Sequence, residues 1–360
     1  MKTAIKPETK TQNTSKPDNT MDPAELQELD AYNGLDNNDT DIDLIAKAME
    51  KAKSVTVLTG AGISVQSGIP DFRSSNGLWK RYDPAVYGTL DTFKTRPELF
   101  WSMAEEIHKI DAKPNDVHKE LALLEKMGVV KNIITQNVDG LHQMAGSKNV
   151  MEIHGNTRTC YCVCCGYITT TKHIWEKTEH PSIDVPKCPK CGGLMKLDVI
   201  LFGEKLDQIT YQSVTKALEN TDFLLVIGTS LKVAPCNIIP KSAKQNGAQV
   251  AFINCTTTMM DEYADYVVRG DLTEIIPQIA SKVRQLRNKT VSPLQRAFLL
   301  SYSMSFVIMT MLLTIYNNVF HQNFKLKQRE GGKTEMVLND CETESDALRR
   351  HSVPLSDTID

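Results

Sequence analysis

The strongest constraint on this chain is a set of short runs with no polar face. Val55-Thr56-Val57-Leu58, Asn132-Ile133-Ile134-Thr135, Phe223-Leu224-Leu225-Val226-Ile227-Gly228 and Val250-Ala251-Phe252-Ile253-Asn254 are each four to six residues long. A strand with one wet face alternates apolar and polar residues, whereas a strand covered on both faces does not. Helical patterns separate the runs, and a first helix is predicted from near Asp43 by the spacing of Leu44, Ile45, Ala48 and Met49. Strands alternating with helices imply α/β architecture, a doubly wound parallel, Rossmann-like sheet. The stretch from about 157 to 196 breaks the rhythm. It is rich in Cys, Gly, Pro and Thr and reads as a small inserted lobe.

Composition narrows the class. With 360 residues, 41% hydrophobic and 24% charged, the chain has the make-up of two or three globular units. That excludes a wholly disordered, collagen-like or multi-span membrane protein. A net charge of −3 supplies no general basic field, so no direct nucleic-acid binding is expected. The nine cysteines are more telling. Cys162-x-x-Cys165 and Cys188-x-x-Cys191 are 22 residues apart, two knuckles that can offer four thiolates to a tetrahedral structural zinc. Cys160-x-Cys162 and Cys164-Cys165 leave other registers open, but only 162 and 165 repeat the spacing of 188 and 191. Such knuckles in an average chain favour a reducing compartment over a secreted disulfide framework.

Four further motifs sit where an α/β sheet carries its ligands, beyond the carboxyl ends of its strands. Gly60-Ala61-Gly62-Ile63-Ser64 follows the first run, a glycine-rich turn of the type that cradles pyrophosphate, although Val65 stands where a full fingerprint has glycine. Ser67-Gly68-Ile69-Pro70-Asp71-Phe72-Arg73-Ser74 cannot be a continuous helix and holds a charged pair expensive to bury idle. Thr135-Gln136-Asn137-Val138-Asp139-Gly140-Leu141-His142 closes the second strand with groups that can read an amide and a ribose. Glu152-Ile153-His154-Gly155-Asn156 puts a histidine at a strand end, directly before the cysteine lobe.

Together with Leu201-Phe202-Gly203-Glu204, Gly228-Thr229-Ser230, Ile253-Asn254 and Gly270-Asp271, these motifs resemble the sirtuins, the NAD-dependent protein deacylases. The resemblance runs from about Asp43 to Leu286. It implies a catalytic domain over 41–288 that clasps NAD and an acylated protein or peptide between two lobes. By the resemblance, Ala61, Gly62, Ile63, Ser64 and Val65 wrap the pyrophosphate. Asp71, Phe72 and Arg73 lie on a mobile cofactor loop, with Phe72 shielding the reactive sugar. Gln136, Asn137, Val138 and Asp139 line the ribose and nicotinamide pocket. Thr229, Ser230, Asn254 and Asp271 hold the adenosine end. Ile200, Phe202 and Gly203 form a strand edge that pairs with the substrate backbone. His154 is the general base, Asn137 joins it in catalysis, and Cys162, Cys165, Cys188 and Cys191 hold one structural zinc. The implied products are nicotinamide, free lysine and acyl-ADP-ribose. Competing readings are a protein mono-ADP-ribosyltransferase on the same pocket and a non-catalytic NAD-binding scaffold; the presence of His154 and Asn137 favours deacylation. Lys196-Leu197 replaces an expected Arg-Pro. No Tyr and Arg pair occurs in Trp101–Glu106, so a short neutral acyl group is expected.

The ends lie outside the resemblance. Residues 1–40 and 321–360 are polar and are expected to be disordered. No signal-peptide core is present, and no arginine precedes Arg73, against an import presequence. Ala297 to Phe320 is 24 residues without a charge, and 297–316 reads as a candidate membrane-spanning helix. Five basic residues and no acid in 281–296 place the catalytic domain on the cytosolic side. The alternative is a soluble cytoplasmic or nuclear protein. Arg349-Arg350-His351-Ser352-Val353-Pro354 has the pattern of a phosphoserine site for an arginine-rich adaptor.

Overall fold

A computed structural model describes residues 38–178 and 180–290. The tails, the candidate span 297–316 and Ser352 lie outside the described residues. Among the described residues no helix is long and apolar enough to cross a membrane.

The apolar runs become strands of one six-stranded parallel sheet. Its strands are β1 (Val55–Thr59), β2 (Val130–Thr135), β3 (Val150–Glu152), β7 (Phe223–Ile227), β8 (Gln249–Asn254) and β9 (Tyr266–Arg269), in the order β3-β2-β1-β7-β8-β9. The intervening β4 (Gly155–Cys162), β5 (Ile168–Thr170) and β6 (Met195–Val199) form a separate antiparallel sheet in the order β5-β4-β6. Every residue of β1 and β7 is buried, because helices cover both faces. The two-residue repeat of a strand then divides each run between two cores. Val55, Val57, Phe223, Leu225 and Ile227 pack under helices Asn38–Lys51, Asp116–Lys126 and Leu272–Thr290. Leu58, Leu224, Val226, Val250 and Phe252 pack under helices Gln208–Glu219 and Ile239–Gln245. Among the described residues the first helix begins at Asn38, five residues before the apolar pattern that announces it.

The smaller lobe differs from its sequence reading in one respect. The cysteine-rich stretch supplies only part of its core. Phe93, Phe100 and Trp101, from helices Leu90–Thr95 and Pro97–His108, join Cys160, Cys162, Cys188, Met195 and Leu197 in one cluster. Phe93, Phe100, Trp101 and Trp175 meet edge to face in sequence, with centroids 5.2, 5.6 and 6.0 Å apart. A ribbon of short strands cannot bury enough apolar area alone, so it borrows an aromatic helix from the other side of β2. Glu105 fastens that helix to the loop after Thr171–Trp175 by accepting from His180 and Ser182, and it also accepts from Lys109. These bonds, the His180 one foremost, hold its carboxyl down to about 2.

This two-segment core makes a local prediction. Trp101 is fully buried, and Trp101→Ala costs about 3–5 kcal/mol. Hydrogen exchange is expected to accelerate in β4, β6 and Pro97–His108 while β7 and β8 keep their protection. Uniform loss of protection across both sheets would contradict separate cores.

Candidate active site

The parallel order reverses its direction of growth between β1 and β7, which is where open α/β sheets bind ligands. The loops at this point are in backbone contact. Gly60 N donates to Ile227 O at 3.1 Å and Gly62 N to Gly228 O at 2.8 Å. A Cβ on Gly60 would sit 2.6 Å from the Thr229 Cβ, and one on Gly62 would sit 2.8 Å from the Gly228 Cα. Both glycines are therefore required by the neighbouring loop itself. Gly228 has φ +60, so it too is held to a residue without a side chain. From this contact Ala61–Ser67 rises as a 3-10 turn that buries Ile63 and Ser64 and leaves Val65 exposed. Asn115 pins it by donating to Ile63 O at 2.7 Å and Ser67 Oγ at 3.0 Å.

The groups after β2 close on the same turn. Asn137 Nδ2 donates to Gly60 O at 3.0 Å and Ser64 Oγ at 3.2 Å, and Ser64 Oγ donates to Asp139 Oδ2 at 2.7 Å. Burial raises the Asp139 carboxyl above its ordinary value, opposed by bonds from Leu141 N and Ser64. Gln136 reaches across to donate to Thr229 Oγ1 at 2.8 Å. Val138 meets the cysteine lobe, its carbonyl accepting from Thr157 N at 3.0 Å. Asn254, ending β8, donates to Thr229 O and Thr256 O, and Asp271, after β9, accepts from Thr273 N. Ser230 follows Thr229 in the same crossing loop. The structure thus brings residues 61–65, 136–139, 229–230, 254 and 271 to one end of the sheet.

In the 71–73 loop Arg73 is exposed. The Asp71 carboxylate accepts from the Arg73 and Ser74 amides at 3.1 and 2.9 Å, closing its own turn. Phe72 continues a path of rings, 5.0 Å from Trp79, which is 6.4 Å from Phe202.

His154 lies where the two lobes join. Its Nδ1 is 3.1 Å from Gln136 O, and its own carbonyl accepts from Ile200 N at 2.9 Å. Burial pushes the imidazole below its ordinary value, against a raising effect of the Gln136 carbonyl. The Phe202 backbone is already engaged on one side, N donating to Gly88 O at 2.8 Å and O accepting from Leu90 N at 3.0 Å. Gly203, φ +85, turns the chain at the next residue. The unusual Lys196 is fully buried and pairs with Glu204 at 3.0 Å, while Tyr161 donates to the other oxygen of Glu204 at 2.9 Å. A cation thus still anchors the acid behind the 200–203 edge.

The fold adds contacts that the motifs do not announce. Cys236 sits 3.5 Å from His154 Nε2. His142 Nε2, at 3.0 Å from Thr59 Oγ1, backs a hydroxyl pair in which Thr59 donates to Thr135 at 2.9 Å. Thr135 in turn accepts from Asn137 N at 3.1 Å. Lone cysteines and hydroxyls on strands carry no spacing signal, so only the fold exposes these contacts.

The thiols of Cys162, Cys165, Cys188 and Cys191 lie within 4.8 Å of one another, and none is in a disulfide. Cys162 and Cys191 sulfurs are 3.5 Å apart, Cys165 and Cys188 sulfurs 3.6 Å apart. A zinc tetrahedron with bonds of about 2.3 Å has edges of about 3.8 Å, so the set fits that ion. Amides of Cys164 and Lys190 donate to the Cys162 and Cys188 sulfurs, the support that thiolates take in such knuckles.

A parallel sheet whose loops converge at its switch point, joined to a metal-knuckle lobe with a part-buried histidine at the joint, defines a two-lobed nucleotide-dependent enzyme. The Sir2 family model matches residues 60–235. The NAD-dependent protein deacetylase of Sulfolobus acidocaldarius is 42% identical over 248 residues, covering 68% of this chain and 96% of that protein. The NAD-dependent protein deacylase of Pyrococcus furiosus is 40% identical over 244 residues, 67% of this chain and 98% of that one. A Sir2 structure with deacetylated p53 peptide and 3′-O-acetyl ADP-ribose superposes with a TM-score of 0.64 at 34% identity, covering 67% of this chain and 98% of that one. The chain belongs to the Sir2 family of NAD-dependent protein deacetylases and deacylases.

The metal cluster makes a direct prediction. Cys188→Ala releases the ion and melts the small lobe, since structural zinc contributes on the order of 10 kcal/mol in small modules. Cys160→Ala and Cys164→Ala retain it. Metal content by mass spectrometry checks this, and loss of the ion from Cys164→Ala equal to that from Cys165→Ala would refute the ligand set.

Proposed function

We propose that residues 41–288 form a deacylase domain that removes acetyl or another short neutral acyl group from lysines of a protein or peptide. The observation that carries this reading is the position of His154, a part-buried residue whose ring is tied to Gln136 on the sheet side and whose backbone carbonyl is tied to Ile200 on the small-lobe side. Bound NAD supplies an anomeric carbon whose leaving group is nicotinamide. The polar groups of Gln136, Asn137, Val138 and Asp139 receive the ribose and nicotinamide end, with Asn137 held rigid by Gly60 and Ser64. The turn from Ala61 to Val65 takes the pyrophosphate. Thr229, Ser230, Asn254 and Asp271 hold the adenosine end. Asp71 and Arg73 frame a loop on which Phe72 excludes water. Ile200, Phe202 and Gly203 present the edge that receives the peptide backbone.

The proton work falls to His154. The Gln136 carbonyl can only accept, so Nδ1 carries the proton and Nε2 is the basic nitrogen. Once the substrate's amide oxygen has bonded to the anomeric carbon and nicotinamide has left, a ribose hydroxyl within reach of Nε2 gives its proton to Nε2 as its oxygen attacks the carbon of the resulting imidate. A folded-state pKa below the ordinary value of about 6.5 keeps this base neutral further into acid.

The tails extend the proposal on sequence grounds. We infer a single membrane anchor at 297–316, with the deacylase domain on the cytosolic side, and a phosphoserine docking site at Ser352. Carbonate extraction separates an anchor from a soluble chain: a full-length protein released as readily as a 1–290 truncation refutes it.

His154→Ala is expected to lower deacylation by about 10² to 10⁴ while NAD binding stays within a few-fold. In the wild-type enzyme the acid limb of kcat/KM falls below pH 6.5, because burial lowers the base. Normal turnover in the zinc-loaded variant, or an acid limb above 6.5, would contradict His154 as the base.

A further inference from the structure

The thiol of Cys236 has no part in the reaction as described, yet it touches the reacting nitrogen. Its sulfur is 3.5 Å from His154 Nε2, and the residue is fully buried. Cys236 begins a 3-10 turn, Cys236–Ile238, in the loop system that also carries Thr229 and Ser230. It packs in the core with Leu58, Ile134, Ile153, Leu231 and Ile239. Neither partner has freedom to drift: the sulfur is set by close packing, and the ring by the Gln136 bond at 3.1 Å.

We propose that Cys236 is a positioning residue for the base, its S–H donating to His154 Nε2 and locking the ring in the tautomer that leaves Nε2 basic. The proposal rests on the reading of His154 as base. The direction of the contact follows from chemistry. Nδ1 faces a carbonyl, which favours the proton on that nitrogen, so Nε2 offers a lone pair. Burial raises the Cys236 thiol to about 12, so at neutral pH it keeps its proton and is the donor. Sulfur is a poor acceptor, so the opposite tautomer, with a proton on Nε2, would face a weak partner there and lose the Gln136 bond as well.

The weakness of the thiol as a donor is what makes it useful. A serine or asparagine at this place would hold Nε2 more firmly and compete with an incoming hydroxyl. A thiol holds the imidazole neutral and correctly turned, then yields Nε2 to a ribose hydroxyl, which is the stronger donor. No covalent bond forms at Cys236, and its proton stays on sulfur throughout. The high pKa also makes the thiol a poor nucleophile, so it can stand beside the base without taking part in the reaction.

The test is spectroscopic first. In zinc-loaded protein the four ligand thiolates carry no S–H, and an infrared difference between wild type and Cys236→Ala isolates the Cys236 S–H stretch. It is expected to be shifted to lower frequency than a free thiol, and to return to the free position in His154→Ala. Nitrogen NMR of the His154 ring is expected to show Nδ1–H as the sole tautomer in wild type and a mixture in Cys236→Ala. Cys236→Ala is expected to lower kcat several-fold with KM for NAD and peptide unchanged, and Cys236→Ser, which keeps a donor, is expected to restore the single tautomer. Metal content and circular dichroism identify any variant that has merely misfolded, and the wild-type band needs no variant that is active. An unshifted Cys236 band, or a single Nδ1–H tautomer retained in Cys236→Ala, overturns the proposal while leaving His154 as base. Normal turnover in His154→Ala overturns the reading beneath it and the kinetic half of the proposal.

Discussion

The contact on which the site depends is the one between the backbones of Gly60-Gly62 and Gly228. Two loops from adjacent parallel strands approach until Gly62 N and Gly228 O are 2.8 Å apart, and a single methyl on Gly60 or Gly62 would collide with the opposite chain. The closeness lets Asn137 reach Gly60 O and Gln136 reach Thr229, so loops from β1, β2 and β7 behave as one surface. Glycines in such turns are commonly read as making room for a phosphate. Here they first make room for protein, and the ligand crevice is a consequence of that packing.

The second lobe depends on a different force. Its strands are short and its sheet has three members, so apolar burial within the cysteine-rich stretch is not sufficient. The four thiols of the two knuckles are placed to share one metal ion, and an aromatic helix from residues 97–108 completes the core. The lobe therefore has two supports that fail in different ways, one by chelation and one by cavity formation. Its link to the sheet passes through His154, whose carbonyl holds Ile200 and whose ring holds Gln136. Placing the base at that joint makes its geometry answer to both lobes.

Much of this was legible in the sequence, and the reason is local. Buried strands announce themselves because every residue of β1 or β7 must be apolar or small enough to hide, and the knuckles because thiolate spacing is set by the metal. Phe93, Phe100 and Trp101 were not legible as part of the cysteine lobe, since a helical aromatic pattern does not say which core it joins. The Asp71 carboxylate closes its own turn through the Arg73 and Ser74 amides, a contact that the charges in the sequence do not announce. Cys236 carried no pattern at all. Its contact with His154 spans 82 residues and exists only once β3 and β7 are in register across the sheet.

The account makes one demand that a single assay meets. Acetyl-lysine peptide and NAD labelled in the adenosine half are incubated with the purified, zinc-loaded chain, and nicotinamide, free-lysine peptide and label are followed together. The account predicts one nicotinamide for each lysine freed, with the label recovered in acetyl-ADP-ribose and none on protein. Label fixed to protein without release of free lysine, or no turnover of NAD by folded, metal-replete enzyme, would contradict it.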